Sequence, residues 1–191
     1  IEMSVHVKNP MRWPSLRAKM ATVLKAEGAD IVHVRSRVPA WIALPVAKAM
    51  KIATISTVHN RFTAMTLFKR WYNAKILDAG QVIAISNYVR SLITSQYAGV
   101  EERLTVVHRG VDTETFDPSA VSTARIIKFA DSVALSDDIP VIMMPARSSV
   151  WKGHHILTDA LVKLLDMPFV CLFVGAGDGK PAFVRDLTDY A

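Results

Sequence analysis

The chain has 191 residues, of which 51% are hydrophobic and 21% charged, a composition that indicates a compact globular protein and excludes a disordered or fibrous one. Its net charge of +6 favours an anionic partner, without choosing among nucleic acid, anionic lipid and a phosphorylated substrate. The longest apolar run, Val38–Ala47, has about half the ~20 residues that cross a bilayer, Ile1–Pro10 lacks a signal-peptide pattern, and the single Cys171 excludes an internal disulfide, so a cytoplasmic location is expected.

Short apolar runs rich in β-branched residues recur along the chain and predict six strands. Helical patterns lie between them, with Pro14 suited to a first turn, Gly28 to a C-terminal stop and Ser86 to an N-cap. Strands that are apolar on both faces and alternate with helices indicate parallel sheets covered on each side, in a doubly wound α/β architecture. The predicted elements are helix Pro14–Glu27, strand Ile31–Val34, helix Ala40–Met50, strand Ala53–Val58, helix Phe62–Leu77, strand Gln81–Ile85, helix Asn87–Ser95, strands Leu104–Val107 and Val141–Met144, helix Gly153–Leu165 and strand Phe169–Val174.

The regular alternation breaks once, between Val107 and Val141. A stretch rich in turn residues up to Pro118 is followed there by an amphipathic segment, Ala120–Leu135. This predicts an interdomain linker, with one domain over residues 1–118 and a second over residues 119–191. Four strands precede the linker and two follow it, so each domain is expected to be only partly present.

Ligands of open α/β sheets bind beyond the carboxyl ends of the strands, so polar residues just after each strand are the first candidates for a site. His59 at the end of the second strand could contact a sugar hydroxyl or move a proton, although a single histidine at a strand end more often has a structural role. Arg35 and Arg37 suit a phosphate or carboxylate of an acceptor, or form a basic loop. The other residues in such positions are Ser86, Arg109 with Gly110, and Arg147 with Lys152.

Arg147 and Lys152 follow the fifth predicted strand, and Gly153 then opens a helix. Two cations beside a helix N-terminus can hold a diphosphate, because the helix dipole and its free N–H groups add to the two positive charges. A solvated basic loop is the alternative. The position at a strand end, the spacing of five and the following glycine bring the diphosphate site level with that alternative.

The stretch that contains Gly175 and Gly177 resembles a phosphate loop but fits neither standard pattern. A dinucleotide fingerprint requires a third glycine where Lys180 stands, and a Walker loop requires Ser or Thr where Pro181 stands. A tight turn that lets the backbone approach a ligand or a neighbouring helix remains. No histidine or cysteine pair has zinc-ligand spacing, so no metal is expected.

The motifs taken together resemble those of glycosyltransferase family 4, and nearly the whole chain is covered. They also resemble a bacterial subgroup of that family associated with lipopolysaccharide and other surface glycans. In chain order the motifs are His33-Val-Arg-Ser-Arg-Val-Pro-Ala-Trp, Thr57-Val-His-Asn, Lys69-Arg-Trp-Tyr-Asn, Ile85-Ser-Asn, Val107-His-Arg-Gly-Val-Asp, Phe116-Asp-Pro, Ala146-Arg and Trp151-Lys-Gly-His.

The resemblance implies a GT-B fold of two Rossmann-like domains and a retaining transfer of sugar from a nucleotide diphosphate sugar to an envelope glycan or lipid-linked acceptor. It implies that Arg147, Lys152 and Gly153 hold the donor diphosphate and that His59 lies near the transferred sugar. Peripheral contact with the inner face of the cytoplasmic membrane is expected. We expect no metal cofactor and no nucleic-acid partner. Gly110, Gly175, Gly177 and Ser86 are further candidates for the donor cleft, and Arg35 and Arg37 for the acceptor site.

The chain departs from the family pattern in the second domain, where a pair of glutamates contacts the sugar and ribose. The last glutamate here is Glu114, so an incomplete donor site is expected, and activity of this chain alone is uncertain. A nucleotide-sugar epimerase, which can share the fold, and a non-catalytic nucleotide-sugar-binding fragment are the alternatives. Acceptor-dependent turnover separates both from a transferase.

Overall fold

The structure is a computed structural model that describes residues 9–59, 66–175 and 181–190. The chain divides into two compact units, Ile1–Val111 and Asp112–Ala191. The boundary between them falls a few residues before the boundary predicted after residue 118.

Unit 1 is a parallel sheet with intervening helices, as the sequence predicts. The four strands are hydrogen-bonded in the order β1-β2-β3-β4 and all pairs are parallel. Of the predicted third helix, residues 62–65 lie outside the described residues, and the remainder forms α3 and a 3-10 turn. The elements are α1 (Trp13–Ala26), β1 (Ile31–Val34), α2 (Arg37–Ala49), β2 (Ala53–Val58), α3 (Leu67–Ala74), β3 (Gln81–Ala84), α4 (Asn87–Thr94) and β4 (Leu104–Val106).

The local signals for helix ends act as predicted. Pro14 lies in the first turn of α1, where its missing N–H is not needed, and Gly28 follows the helix with a φ of +58°, in the left-handed region. The Ser86 hydroxyl oxygen accepts a hydrogen bond from the Val89 backbone N–H at 3.2 Å and caps α4.

A proline inside α2 ties that helix to α1. Pro45 has no N–H to donate to the Trp41 carbonyl, which lies one turn earlier. The Arg17 side chain of α1 supplies the donors instead, with Nε at 3.1 Å and Nη2 at 2.7 Å from the Trp41 oxygen. The sequence therefore tolerates the proline because a neighbouring helix hydrogen-bonds the carbonyl that Pro45 leaves free.

The core of unit 1 lies on one face of the sheet. Val32 and Val34 of β1 are buried, whereas the alternate residues Ile31 and His33 are exposed. The opposite face of the sheet is covered unevenly, since Thr57 of β2 is buried there whereas Ile31 and His33 of β1 are exposed. The core comprises Val32, Val34, Ala40, Ala43, Leu44, Ala47, Val58, Ile76, Leu77, Ala79, Val82, Ala84, Val89, Ile93, Tyr97, Val100 and Leu104.

Unit 2 contains a two-stranded parallel sheet, paired from Val141 with Val170 to Pro145 with Val174. The predicted amphipathic segment forms α5, and α7 is a helix that the sequence analysis missed. Its elements are α5 (Thr123–Ser132), β5 (Val141–Pro145), α6 (His154–Leu161), β6 (Val170–Val174) and α7 (Pro181–Tyr190).

None of the helices in the described part of the chain is long and apolar enough to span a membrane.

Candidate functional site

Three polar side chains meet at the carboxyl edge of the unit 1 sheet. Arg35 follows β1, His59 follows β2, and Arg109 lies just beyond β4. The Nε atom of Arg35 is 3.2 Å from Nε2 of His59, and Nη2 of Arg109 is 2.8 Å from its Nδ1. Both ring nitrogens of the imidazole therefore face a guanidinium group. We call these three residues the Arg-His-Arg cluster.

The surroundings of His59 favour its neutral form. Burial, the charge of Arg109 and then that of Arg35 hold the pKa of His59 below its usual value, and His33 contributes in the same direction. His59 is therefore neutral at pH 7 and suited to a hydrogen bond with a hydroxyl group rather than to proton donation as an imidazolium.

Replacing Arg109 by glutamine is expected to raise the pKa of His59 toward its usual value, because one of the two neighbouring charges is removed. A pH titration of the imidazole resonances by NMR measures this. An unchanged pKa of His59 in Arg109→Gln would contradict Arg109 as a cause of the lowered pKa.

The lowered pKa of His59 also predicts that unfolding becomes easier on acidification, since the unfolded chain takes up a proton first as the pH falls below about 6.5. His59→Asn should therefore lose less stability than the wild type between pH 7 and pH 5.

Arg37 does not join this cluster, although the sequence grouped it with Arg35. Its Nη1 donates a hydrogen bond of 2.7 Å to Oδ1 of Asn73, which is fully buried in α3. Arg37 thus links α2 to α3, and the second arginine beside His59 is Arg109. The position of Arg109 after a strand made it a candidate site residue, but nothing in the sequence indicated its contact with His59.

A small cavity of about 60 Å³ lies beside the cluster. Arg35, Thr57 and His59 line it together with Arg37, and it is large enough for a few water molecules or a small polar group. The Thr57 hydroxyl is 2.7 Å from Nε2 of His33 on the neighbouring strand. The cavity is therefore lined by residues that follow β1 and residues at the end of β2.

Two other predicted residues of unit 1 lie apart from the Arg-His-Arg contacts. The side-chain oxygen of Ser86 caps α4, as described above. Gly110 has no neighbouring atom within reach of an added Cβ and no left-handed φ, so nothing around it requires glycine. The Asp112 carboxylate that follows in unit 2 accepts from the backbone N–H groups of Glu114 and Thr115 and so stabilises a turn.

In unit 2 the predicted cations lie on the connection from β5 to α6. Arg147 follows the end of β5 at Pro145 by two residues and is exposed. Lys152 is also exposed, with Nζ 4.4 Å from the centre of the Trp151 ring. Gly153, with a φ of +85°, directly precedes α6. This connection places two positive side chains before a helix N-terminus, as the sequence predicted.

Gly175 explains part of the glycine-rich stretch. Its φ is +102°, and an added Cβ would lie 2.9 Å from the carbonyl oxygen of Ala146 and 3.5 Å from the backbone nitrogen of Arg147. Only glycine allows residue 175, directly after β6, to approach the backbone of Ala146 this closely. Gly177, the other predicted glycine, lies outside the described residues. Gly175 therefore supports the backbone that carries Arg147.

Two buried polar residues border the same connection. Ser148 is 3% exposed and His154 1%, and neither side chain has a hydrogen-bond partner among the described residues. The His154 ring lies 5.5 Å from that of Phe173 and 5.7 Å from that of Phe183. Sequence reasoning missed both residues, and their positions within the Arg147–His154 run were the signal available.

The described residues contain no cluster of histidine, cysteine and acidic side chains that could hold a metal ion. Burial raises the pKa of the Cys171 thiol, which lies in β6. The thiol is therefore a poor nucleophile, as its sequence position suggests.

Solved structures of other proteins superpose on this arrangement of strands and loops. A glycosyltransferase from Rickettsia africae ESF-5 has a crystal structure that superposes with a TM-score of 0.85 and 32% identity, over 100% of this chain and 50% of that chain. Anabaena Alr3699/HepE in complex with UDP-glucose superposes with a TM-score of 0.74 and 18% identity, over 95% of this chain and 50% of that one.

Spore coat protein SA of Bacillus subtilis (strain 168) is 26% identical over 146 residues, which cover 75% of this chain and 38% of that protein. The chain thus spans half or less of the length of each of these proteins. The fold matches that of GT-B glycosyltransferases, of which the chain covers part. The model of Glycosyltransferase Family 4 matches residues 4–115, which is more than half of the sequence. The chain belongs to Glycosyltransferase Family 4.

Proposed function

We propose that the protein is a retaining glycosyltransferase that transfers a sugar from a nucleotide diphosphate sugar to a cell-envelope glycan or lipid-linked acceptor. The observation that carries the proposal is the connection from β5 to α6, where Arg147 and Lys152 precede a helix N-terminus. The family assignment favours sugar transfer over the epimerase and over a purely binding role. A relative of this fold binds UDP-glucose, which makes UDP the first nucleotide to test.

The chemistry needs positive charge at the leaving group. When the bond between the anomeric carbon and the donor phosphate breaks, the electron pair stays on the phosphate oxygen, so negative charge develops on the diphosphate. Arg147, Lys152 and the N–H groups at the start of α6 would stabilise this charge more strongly in the transition state than in the ground state. The acceptor hydroxyl would bond to the anomeric carbon on the same face and give its proton to the leaving phosphate. These two side chains provide the neutralisation that other enzymes obtain from a metal ion, so we propose a reaction without a metal cofactor.

His59 is the proposed contact to the transferred sugar. Because the pKa of His59 is lowered, the imidazole is neutral and can hydrogen-bond a sugar hydroxyl. This role is one of positioning and leaves no formal charge on the ring.

The test is thermal unfolding of the chain against UDP, GDP, ADP and CMP and their sugars. A ligand at one hundred times its Kd stabilises the folded state by about 2.7 kcal/mol, a rise in Tm of roughly 2–4 °C for a protein of this size. We expect a rise with one nucleoside diphosphate, whereas no rise with any would contradict a donor site in this chain. Acceptor-dependent release of the nucleotide then separates transfer from epimerisation.

We further propose that α3 contacts the membrane surface from which a lipid-linked acceptor is taken, at its cytoplasmic face. Leu67 is 85% exposed, Phe68 72% and Trp71 57%, and Lys69 and Arg70 lie among them. Exposed aromatic and aliphatic side chains interleaved with cations, without an acidic residue in the helix, suit an interface with anionic lipid headgroups.

The double substitution of Leu67 and Phe68 by serine is expected to lower binding to vesicles containing phosphatidylglycerol roughly 30-fold, because each side chain gives up on the order of 1 kcal/mol of apolar burial. Co-sedimentation at low salt measures the bound fraction. Ile156→Ser is the matched control, since Ile156 of α6 is 74% exposed. Equal binding of the variant and the wild type would exclude α3 as the contact.

A further inference from the structure

The Arg-His-Arg cluster contains a mismatch of hydrogen-bonding groups. A guanidinium group has only donors, and a neutral imidazole has one donor nitrogen and one acceptor nitrogen. Arg35 approaches Nε2 of His59 and Arg109 approaches Nδ1, so one of the two guanidinium groups faces an N–H instead of an acceptor. Protonation of His59 would make both contacts unfavourable. The imidazole can therefore satisfy only one of the two arginines at a time.

The charges of the cluster are also unbalanced. Arg35 and Arg109 are both exposed, and neither forms an ion pair in the part of the chain that the structure describes. The neighbouring side chains in the cavity, Ser36, Thr57 and Arg37, bring no negative charge. Nη1 of Arg37 donates a hydrogen bond to Oδ1 of Asn73. The cluster thus presents two guanidinium forks to solvent from the edge of a sheet where ligands bind.

We propose that Arg35 and Arg109, on either side of His59, bind an anionic oxygen group of the acceptor substrate, a phosphoryl or a carboxylate group. An anion accepts hydrogen bonds from both forks, which removes the mismatch and balances the charge. It also draws the guanidinium groups away from the ring nitrogens of His59, so the imidazole becomes free to contact a sugar hydroxyl. Binding of the acceptor anion is then coupled to release of the His59 ring nitrogens for contact with the sugar.

This inference rests on the proposed transferase function for the identity of its ligand. The donor diphosphate has its own proposed cations, Arg147 and Lys152 in unit 2, so the cations of unit 1 are available for a second anion. The two sites lie on different units and are tested by different residues.

The test follows the imidazole resonances of His59 by NMR in the whole chain labelled at histidine. Inorganic phosphate and acetate are the probes, and sodium chloride at matched ionic strength is the reference. We expect a saturable shift of the His59 resonances with phosphate, with acetate or with both. Equal response to both marks a site for either anion, whereas a stronger response to one identifies the phosphoryl or the carboxylate class.

Arg35→Gln and Arg109→Gln should each weaken the anion response at least tenfold, because each removes a charge-assisted hydrogen-bond donor. Arg35→Lys and Arg109→Lys keep the charge without the fork and should give an intermediate loss. Arg90→Gln, an exposed substitution on α4, is the matched control and should bind as the wild type. Amide spectra report whether each variant is folded.

Two results would overturn the inference. One is a response that chloride reproduces or that Arg35→Gln and Arg109→Gln retain, since the ions then only screen charge. The other is a response lost in Arg147→Gln, since the anion would then belong to the donor site. Failure of the nucleotide to stabilise the protein, with the phosphate response intact, would instead count against the proposed donor site alone.

Discussion

Substituting alanine for Gly175 is expected to destabilise unit 2 by about 2–3 kcal/mol, the largest stability effect that the site predicts. The backbone there has a φ of +102°, and the new Cβ would meet the Ala146 carbonyl oxygen at 2.9 Å. Because the neighbouring atom belongs to the backbone, no side-chain rotation relieves the contact. The loop after β5, and Arg147 with it, must then move.

Hydrogen exchange measured by mass spectrometry should show faster exchange in β5 and β6 and unchanged exchange in β1–β4, since the large hydrophobic core lies wholly in unit 1. Gly110→Ala is the matched control, as no atom lies within reach of its Cβ and its φ is not left-handed. Equal effects of the two substitutions would show that the approach of Gly175 to Ala146 does not support unit 2.

Removal of the two cations of unit 2 is expected to give the largest effect on donor binding. Arg147→Gln and Lys152→Gln should each raise the Kd for the preferred nucleoside diphosphate roughly 10- to 100-fold, which corresponds to about 1.5–3 kcal/mol for a lost charge-assisted hydrogen bond. Both side chains are exposed, so the fold should persist. Calorimetric titration of the nucleotide measures the change.

The matched control for these variants is Arg125→Gln, which removes an exposed arginine from α5 in the same unit. It should leave the Kd within about twofold at moderate salt, because a distant exposed charge is screened. A similar loss of affinity in Arg125→Gln would mean that the nucleotide responds to the general positive charge of unit 2.

The strands were the most predictable part of the fold. Short β-branched runs between turn residues identify β1 and β2 to the residue, and the other strands to within about one. Burial of these strands was less predictable, because the sequence shows which residues are apolar and not which face a helix covers. Ile31 is apolar and 56% exposed for this reason.

The positions of the site residues were predictable, but their partners were not. The sequence placed Arg35, Arg37, His59 and Arg109 after strands, where polar residues gather in this architecture. Their pairing depends on contacts between residues far apart in the chain, such as Arg37 with Asn73 and Arg109 with His59. These contacts hold the Nη1 atom of Arg37 at Asn73, while Arg37 still lines the cavity, and they bring Arg109 beside His59.

The glycines illustrate the same limit. A glycine pattern in a sequence does not distinguish a phosphate loop from a close approach of two backbones. Gly175 proves to be of the second kind, because the atoms nearest its Cβ position belong to Ala146 and Arg147. Gly110 has no such neighbour. Any contribution of Gly175 to the proposed donor site is therefore indirect, through the backbone that carries Arg147.

We propose that this Family 4 chain binds the diphosphate of a nucleotide sugar between β5 and α6. A titration of the uniformly ¹⁵N-labelled chain with UDP-glucose and with GDP and ADP sugars, followed by NMR at each backbone amide, tests this site, and a CMP sugar, which carries a single phosphate, is the control. We expect that one diphosphate donor shifts the amide resonances of Arg147, Lys152 and Gly153 in a saturable manner. Saturable binding whose shifts are confined to unit 1, or no binding of any donor, would contradict it.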